Sequence, residues 1–508
     1  MTEQDDPREQ HGPASGPSIP VGEAGLAAEQ PLLPGLARNA GAQLVGRAVG
    51  LAAQALGLIL VARQLGPDDY GFFALISSLT LMASVVADWG LLLIGTRMAA
   101  TRPSETERIM AVALGLRLAF SVFAVAILVA LALIGSDNPD VHLGALVAGA
   151  SFVPGAWFSI GHIRAQLDLR MERVAVPAMV GSFAALAWLV GTLELGGGIV
   201  ALAASFVVSA TVSGLVCAAM TPGGLVLRPQ LDRQMGERIL RQSTPLALSL
   251  IGVTIYFYVD ALLLARLSTT RELAFYDAAY RFVQVGLFLP GVIVSSVYAV
   301  ASDLAARDRE RMRRFTRELL SIVALVAPLP VVLLAIAPED LVVLIYGQQY
   351  AEAAGPLPIL AFAVAVMAFS GVVGPLIVAL GFERATLAIT AAAVILNVGA
   401  NVLLIPVLDA RGAAVATLLT ELVVIVPAAV ILIRATGVRP DGLHMAKVAV
   451  ATAAGSASVW LLPGPIVVRL AAGALVYLGL LVATGAAGRR QLELTRMTPA
   501  EPAGAPRG

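Results

Sequence analysis

The stretch LAAQALGLILVARQLGPDDYGFFALISSLTLMASVVADWG, residues 51–90, decides the fold. Two apolar runs flank a short polar turn, RQLGPDDYG, at 63–71. Followed to their ends, the runs cover 41–63 and 71–95, each long enough to cross about 30 Å of hydrocarbon as a helix. Hydrocarbon offers no water to unpaired backbone groups, so a spanning segment must close its hydrogen bonds within itself. This stretch therefore predicts a hairpin of two membrane helices.

The pattern continues along the chain. Further runs lie at 109–134, 143–162, 174–194, 197–220, 243–265, 277–301, 317–337, 355–380, 386–406, 411–434, 445–462 and 465–486, giving fourteen predicted spans. Over all 508 residues, 58% are hydrophobic and 13% charged, with a mean hydropathy of +0.85. Soluble proteins carry about 25% charged residues, so a cytosolic enzyme and a disordered scaffold are both excluded. The fold class is an all-α integral membrane protein.

Charge placement sets the orientation. The loops after even-numbered spans and the C-terminal tail hold 24 of the 34 basic residues, including six arginines from Arg307 to Arg317. The loops after odd-numbered spans hold five: Arg63, Arg266, Arg271, Arg411 and Arg469. The positive-inside rule then places both termini in the cytoplasm, with the plasma (inner) membrane as the expected location. Residues 1–38, rich in Pro, Gly and acids, read as a disordered cytoplasmic tail.

A duplication organises the spans. LILVARQLGPDDYGFFAL at 58–75 parallels LLLARLSTTRELAFYDAAYRF at 262–282, with Ala62-Arg63 on Ala265-Arg266 and Tyr70 on Tyr276. Both segments run in the same direction, so the repeat is parallel. The expected organisation is a first lobe at 39–220, a linker at 221–242, a second lobe at 243–434, spans 13 and 14 within 435–486, and a tail at 487–508. Parallel repeats belong to transporters, with the substrate path between the halves.

Several functions lose support by omission. Net charge is zero, so charge balance gives a nucleic-acid partner no support. The one cysteine, Cys217, cannot form an internal disulfide. Lys447 is followed by Val448, so no Walker A motif exists, and the four histidines never stand at i,i+4. No cofactor is expected. The loops after odd-numbered spans are too short for the catalytic domain of a polysaccharide polymerase or ligase.

Specific segments carry a family resemblance: ARQLGPDDYGFFAL at 62–75, ADWGLLLIGTRMAA at 87–100, YDAAYRFVQV at 276–285, IYGQQYAEAAGPLPILA at 345–361 and LNVGANVLLIPVLDARGAAVAT at 396–417. The chain resembles polysaccharide (O-antigen type) flippases of the multidrug/oligosaccharidyl-lipid/polysaccharide exporter superfamily. The resemblance implies two pseudo-symmetric six-helix lobes plus two C-terminal helices. It also implies movement of a polyprenyl-diphosphate-linked oligosaccharide from the inner to the outer leaflet. Expected partners are that lipid-linked glycan, membrane lipids and glycosyltransferases of a polysaccharide pathway. An ion-coupled multidrug exporter and a lipid II flippase of the same superfamily stay open as alternatives.

Six ionisable residues fall well inside spans: Arg47, Asp88, Arg117, Asp260, Arg281 and Glu421. Each costs about 2.5–3.5 kcal/mol at a helix centre, so such residues face a bundle interior or a wet cavity. On span 1, Asn39, Gln43, Arg47 and Gln54 fall within an arc of about 80°. On span 7, Gln242, Ser249, Tyr256 and Asp260 fall within about 40°. Arg47 and Arg117 suit a diphosphate, because guanidinium stays charged and binds phosphate bidentately; either could instead pair with Asp88. Arg281 stands four residues after Asp277, a favourable salt-bridge spacing. The expected cavity residues are Arg47, Arg117, Arg281, Asn39, Gln43, Gln54 and Tyr256. Asp260, Glu421 and Asp88 are the candidates for ion coupling, with Asp88 also read as structural. Arg63 and Arg266, at repeat-equivalent ends, are expected to snorkel to headgroups.

Overall fold

The computed structural model describes residues 32–221 and 228–487, with side chains except at 32–45, 47, 287–299 and 306. The described residues form helices and no strands. In the first half, α1 (Leu32–Asp88) holds spans 1 and 2, and α2 (Leu91–Thr101) completes span 2. Span 3 is α3 (Thr106–Gly135), span 4 is α4 (Pro139–Gly149) plus α5 (Phe152–Leu167), and spans 5 and 6 are α6 (Glu172–Glu194) and α7 (Ile199–Met220). In the second half, spans 7 and 8 are α8 (Arg233–Leu267) and α9 (Thr270–Arg307). Span 9 is α10 (Arg309–Val326) plus α11 (Leu329–Leu334). A short helix, α12 (Pro338–Tyr346), and a 3-10 segment (Gln348–Ala354) precede span 10, α13 (Leu357–Ala379). Spans 11 and 12 share α14 (Glu383–Thr436), and α15 (Gly442–Leu461) and α16 (Ile466–Ala483) are spans 13 and 14. The fourteen crossings match the hydropathy reading.

Local chemistry makes the turns. Within α1 the backbone reverses at Gly66, whose φ of 75° suits glycine, and Pro67 opens the next helix where its missing N–H costs nothing. Within α14 the reversal falls on Asp409, at φ 50°. Side-chain caps start the helices that follow loops: Asn138, Asp232, Thr269, Asp308 and Asp441 each accept from a backbone N–H of the first turn. Spans 2, 4 and 9 each break within their apolar runs, span 9 at 327–328 before α11. Span 2 breaks at Trp89 and Gly90, both at positive φ. Span 4 breaks at 150–151, where the ring of Pro154 would meet the carbonyl four residues earlier.

Loop contacts fix the alternation of the spans. On the arginine-poor face, side-chain contacts join turns that follow odd spans: Arg271 to Asp68 at 3.3 Å, Ser268 to Asp409 at 2.6 Å and Arg469 to Asp340 at 2.6 Å. On the arginine-rich face, Arg164 joins Glu107 at 2.6 Å, and Arg108 joins Asp232 through Nε at 2.8 Å. Even turns meet even turns and odd meet odd, as strict up-and-down threading requires.

In lipid, close backbone approach takes over from hydrophobic driving force. Span 1 lies on span 5 through Gly46, Gly50 and Gly57; a Cβ at Gly46 would stand 2.8 Å from that of Ala175. The halves approach closely at Gly71, where a Cβ would collide with the Thr270 carbonyl. The largest buried apolar cluster surrounds this point. It draws Tyr70, Phe73 and Leu79 from the first half and Phe275, Tyr346 and Leu357 from the second. A smaller cluster near the arginine-rich face sets Leu91, Ile94, Met98 and Val112 against Met235 and Ile239 of α8. Spans 13 and 14 pack on span 9 through Val332, Val448 and Tyr477.

Candidate transport site

The charged residues expected in the cleft are distributed among three clusters. The first lies toward the arginine-rich face. Arg117 of α3 pairs with Asp88 at the break in span 2, and both are partly buried. The Arg117 Nε is buried without a hydrogen-bond partner. The adjacent Trp89 stacks on Phe120, with centroids 4.7 Å apart and planes 7° off parallel. Its Nε1 donates to Thr244 of α8 at 3.2 Å. The break thus aims an aromatic at the second half while the preceding acid holds the arginine. The side chains of Asn39, Gln43 and Arg47 lie outside the described residues.

The second cluster lies toward the arginine-poor face. Tyr70 Oη donates to Asp277 Oδ2 at 2.6 Å. Arg281 donates to Asp277 through Nη2 at 2.8 Å and Nε at 3.2 Å, and to Gln284 at 3.1 Å. Arg281 is therefore committed to the i,i+4 pair. Tyr346 and Tyr350 pack alongside, with Tyr350 edge-on to Tyr70 and Phe275 at 6.2 and 6.1 Å. Arg63 does not snorkel. Its Nε and Nη2 donate to the carbonyls of Ile345 and Leu344 at 2.6 and 2.5 Å, where the end of α12 leaves acceptors free. Gln349 donates back to the Arg63 carbonyl at 2.8 Å. The repeat partner Arg266 lies 3.6 Å from Asp137. Each arginine reaches the loop between the third and fourth spans of the opposite half.

The third cluster lies inside the second half. Asp260 is 4% exposed; its Oδ2 accepts from Tyr276, and its Oδ1 from the Ala261 amide at 2.8 Å. Tyr276 also meets Thr417 Oγ1 at 3.2 Å. Glu421, 3% exposed, accepts from Tyr256 on Oε1, while its Oε2 is buried without a partner. Asn397 donates to Thr420 at 3.3 Å, and Asn401 donates to Asn397, leaving the Asn401 Oδ1 buried and unpartnered. Neither carboxylate has a basic partner among the described residues. Asp260 and Tyr256, which the helical stripe aligned with Gln242 and Ser249, bond instead to spans 8 and 12 of their own half. Ser249 and Gln242 are exposed.

Sequence reasoning missed Tyr276, Thr417, Asn397 and Asn401. The signal was present: NVGAN sets two asparagines at i,i+4 on one face of span 11, and Tyr276 is the repeat partner of Tyr70.

The first half holds a cavity of about 270 Å³ among spans 1, 2, 5 and 6. Gln54, Ser182, Ser205 and Ser209 are its polar lining, and Phe73 and Phe206 stand in its wall.

Outside the spans, Asp232 caps α8 by accepting from Met235 N at 3.0 Å and binds Arg108. The Met235 amide first, and Arg108 second, hold its carboxyl below the usual carboxylate range.

Solved structures share this arrangement. The lipid II flippase MurJ, in an inward closed conformation, matches with a TM-score of 0.72 at 12% identity, over 88% of this chain and 99% of that one. An inward-facing multidrug resistance MATE family transporter of the MOP superfamily gives 0.61 at 17% identity, over 77% of this chain and 95% of that one. An outward-facing transporter of the same description gives 0.53 at 16% identity, over 79% and 96%. At these identities the likeness establishes the fold: a multi-pass helical membrane protein with two six-span halves and two added C-terminal spans. A comparison with curated protein sequences finds no match. The model of one family, described as polysaccharide biosynthesis protein, matches residues 60–355, more than half of the chain. The chain belongs to the polysaccharide biosynthesis protein family.

Proposed function

We propose that this protein is a flippase that carries a polyprenyl-diphosphate-linked oligosaccharide from the inner to the outer leaflet of the plasma membrane by alternating access. In this reading the arginine-rich face and both termini are cytoplasmic. The observation that carries the proposal is the Arg117–Asp88 pair beside the break in span 2, in a chain of a polysaccharide biosynthesis family. A diphosphate leaving cytoplasmic water needs cationic donors, because an unpaired charge in hydrocarbon is costly. Arg117 is such a donor, kept neutralised by Asp88 while no substrate is bound. Arg47, on the neighbouring span 1, is assigned the same task from its position in the sequence.

Asp260 and Glu421 are assigned to coupling. Two buried carboxylates with no basic partner are tolerated when a proton or a small cation shares their oxygens. The unpartnered Asn401 Oδ1 and Glu421 Oε2 are further acceptors in that half. A cytoplasm-negative potential adds a bias for outward movement of net negative charge, about 2.3 kcal/mol per charge across 100 mV.

The test is translocation in a strain that depends on this protein, with membrane abundance measured in parallel. Arg117→Ala is expected to lose flipping at normal abundance. Asp88→Asn, which frees the guanidinium, is expected to retain flipping and bind carrier more tightly. Equal loss in both variants would make the pair a packing element and remove the headgroup role.

A further inference from the structure

The two halves place different chemistry at corresponding positions. In the second half the space among spans 7, 8, 11 and 12 is filled by Tyr276, Tyr280, Asp260 and Glu421. The equivalent space in the first half, among spans 1, 2, 5 and 6, is the cavity of about 270 Å³. Thr417 and Glu421 stand one turn apart on span 12; Ser205 and Ser209 stand one turn apart on span 6. Span 12 thus brings an acid to its half, and span 6 brings hydroxyls to the cavity.

Among the described side chains, none that lines the cavity is ionisable. Ser205 is 5% exposed, yet neither it nor Ser209 nor Gln54 has a hydrogen-bond partner among the described residues. Ser182 is already satisfied by the Ala178 carbonyl at 2.9 Å. Phe73 and Phe206, 6.4 Å apart, supply flat apolar wall. Gly46 and Gly50 contribute no side chain, and a Cβ at Gly50 would sit 3.4 Å from the Ser182 hydroxyl.

We propose that this cavity binds one uncharged sugar ring of the lipid-linked oligosaccharide, a proposal that rests on the flippase reading. A pyranose presents hydroxyls to Gln54, Ser205 and Ser209 and a C–H face to the phenyl rings. A phosphate would find no cation among the described lining residues. A lipid chain would leave three polar groups desolvated without partners. The volume falls just below the range of about 300–1,000 Å³ for small-molecule pockets, so it holds a ring rather than a whole glycan. Position along span 1 agrees: Gln54 lies seven residues beyond Arg47, about 10 Å of helix rise, on the same face. A diphosphate held by Arg47 would direct the attached sugar toward the cavity.

The experiment measures binding of two probes to the full chain in lipid nanodiscs: a polyprenyl diphosphate, and the same carrier bearing one neutral hexose. Wild type is expected to bind the hexosylated carrier at least tenfold more tightly. In Ser205→Val/Ser209→Val, which strips the hydroxyls, the ratio is expected to fall below threefold. Ala185→Phe, which fills the cavity from span 5, is expected to do the same. Binding of the bare carrier reports that each variant is folded. Equal affinity of wild type for both carriers, or a tenfold ratio kept in both variants, overturns the sugar site and leaves the flippase reading standing. Absence of binding of either carrier to wild type overturns the flippase reading and this proposal with it.

Discussion

Tyr70 of span 2 donates a 2.6 Å hydrogen bond to Asp277 of span 8, so the opening segments of two repeat-equivalent helices hold each other across the molecule. Arg281 grips the same carboxylate from the next turn, and Tyr70, Asp277, Tyr346 and Tyr350 are all buried. Opening on that face requires this bond to break. Tyr70→Phe and Asp277→Asn are therefore expected to favour the state open there. A cysteine placed at Ser77 should become several-fold more reactive toward an impermeant thiol reagent in either variant. Unchanged labelling would mean that the bond does not close the path.

The two repeat-equivalent arginines should differ in weight. Arg63 makes two charge-assisted bonds to carbonyls that have no other donor, each worth about 1.5–3 kcal/mol where fully shielded and less at this exposed site. Arg266 makes one exposed ion pair at 3.6 Å, worth about 0–1 kcal/mol. Arg63→Ala is expected to lower the melting temperature by a few degrees, and Arg266→Ala to leave it nearly unchanged. Thermal unfolding followed by intrinsic fluorescence decides this.

The coupling proposed for the second half has its own signature. In proteoliposomes, Asp260→Asn is expected to reduce stimulation of transport by a proton or sodium gradient at least tenfold while substrate still binds. Tyr276→Phe, which removes one donor from Asp260, should give an intermediate loss. Full stimulation in Asp260→Asn would assign this acid to structure alone.

Asp232 supplies a pH dependence. Its carboxyl is held below the usual range in the folded protein, so its stabilisation is complete above the unfolded value near pH 3.9 and is lost as pH falls through the folded value. Asp232→Ala is expected to melt below wild type at pH 7, with the two melting temperatures converging toward pH 3. A gap that persists in acid would place the effect elsewhere than in the ionised carboxylate.

The crossings were legible because length and apolarity suffice to define them, and the hairpin at 63–71 carried its own Gly66-Pro67 signal. The break in span 2 was not. Trp89 adopts φ 46° with Phe120 and Thr244 as its partners, and those come from two other stretches of chain. Arg281 was legible as a local pair because its partner is four residues away. Asp260 was legible as buried but not as a neighbour of Tyr276 and Thr417. Helical periodicity says which residues share a face and leaves open which helix that face meets. Arg63 was misassigned for the same reason: its acceptors are backbone carbonyls 281 and 282 positions away.

One helix belongs to both halves. The first three turns of α8 are fastened to spans 2 and 3 by Arg108, Met98 and Trp89, whereas Tyr256, Asp260 and Leu264 further along are bonded into the second half. Between these anchorages lies Pro245, which cannot donate to the carbonyl of Arg241. Any swing of one half against the other must then be taken up along this single rod, as bending at its weakest ladder position or as peeling of its foot. The helix acts as a tether of fixed length. It limits how far the arginine-rich ends can part, and it returns the two halves to register when the load is released.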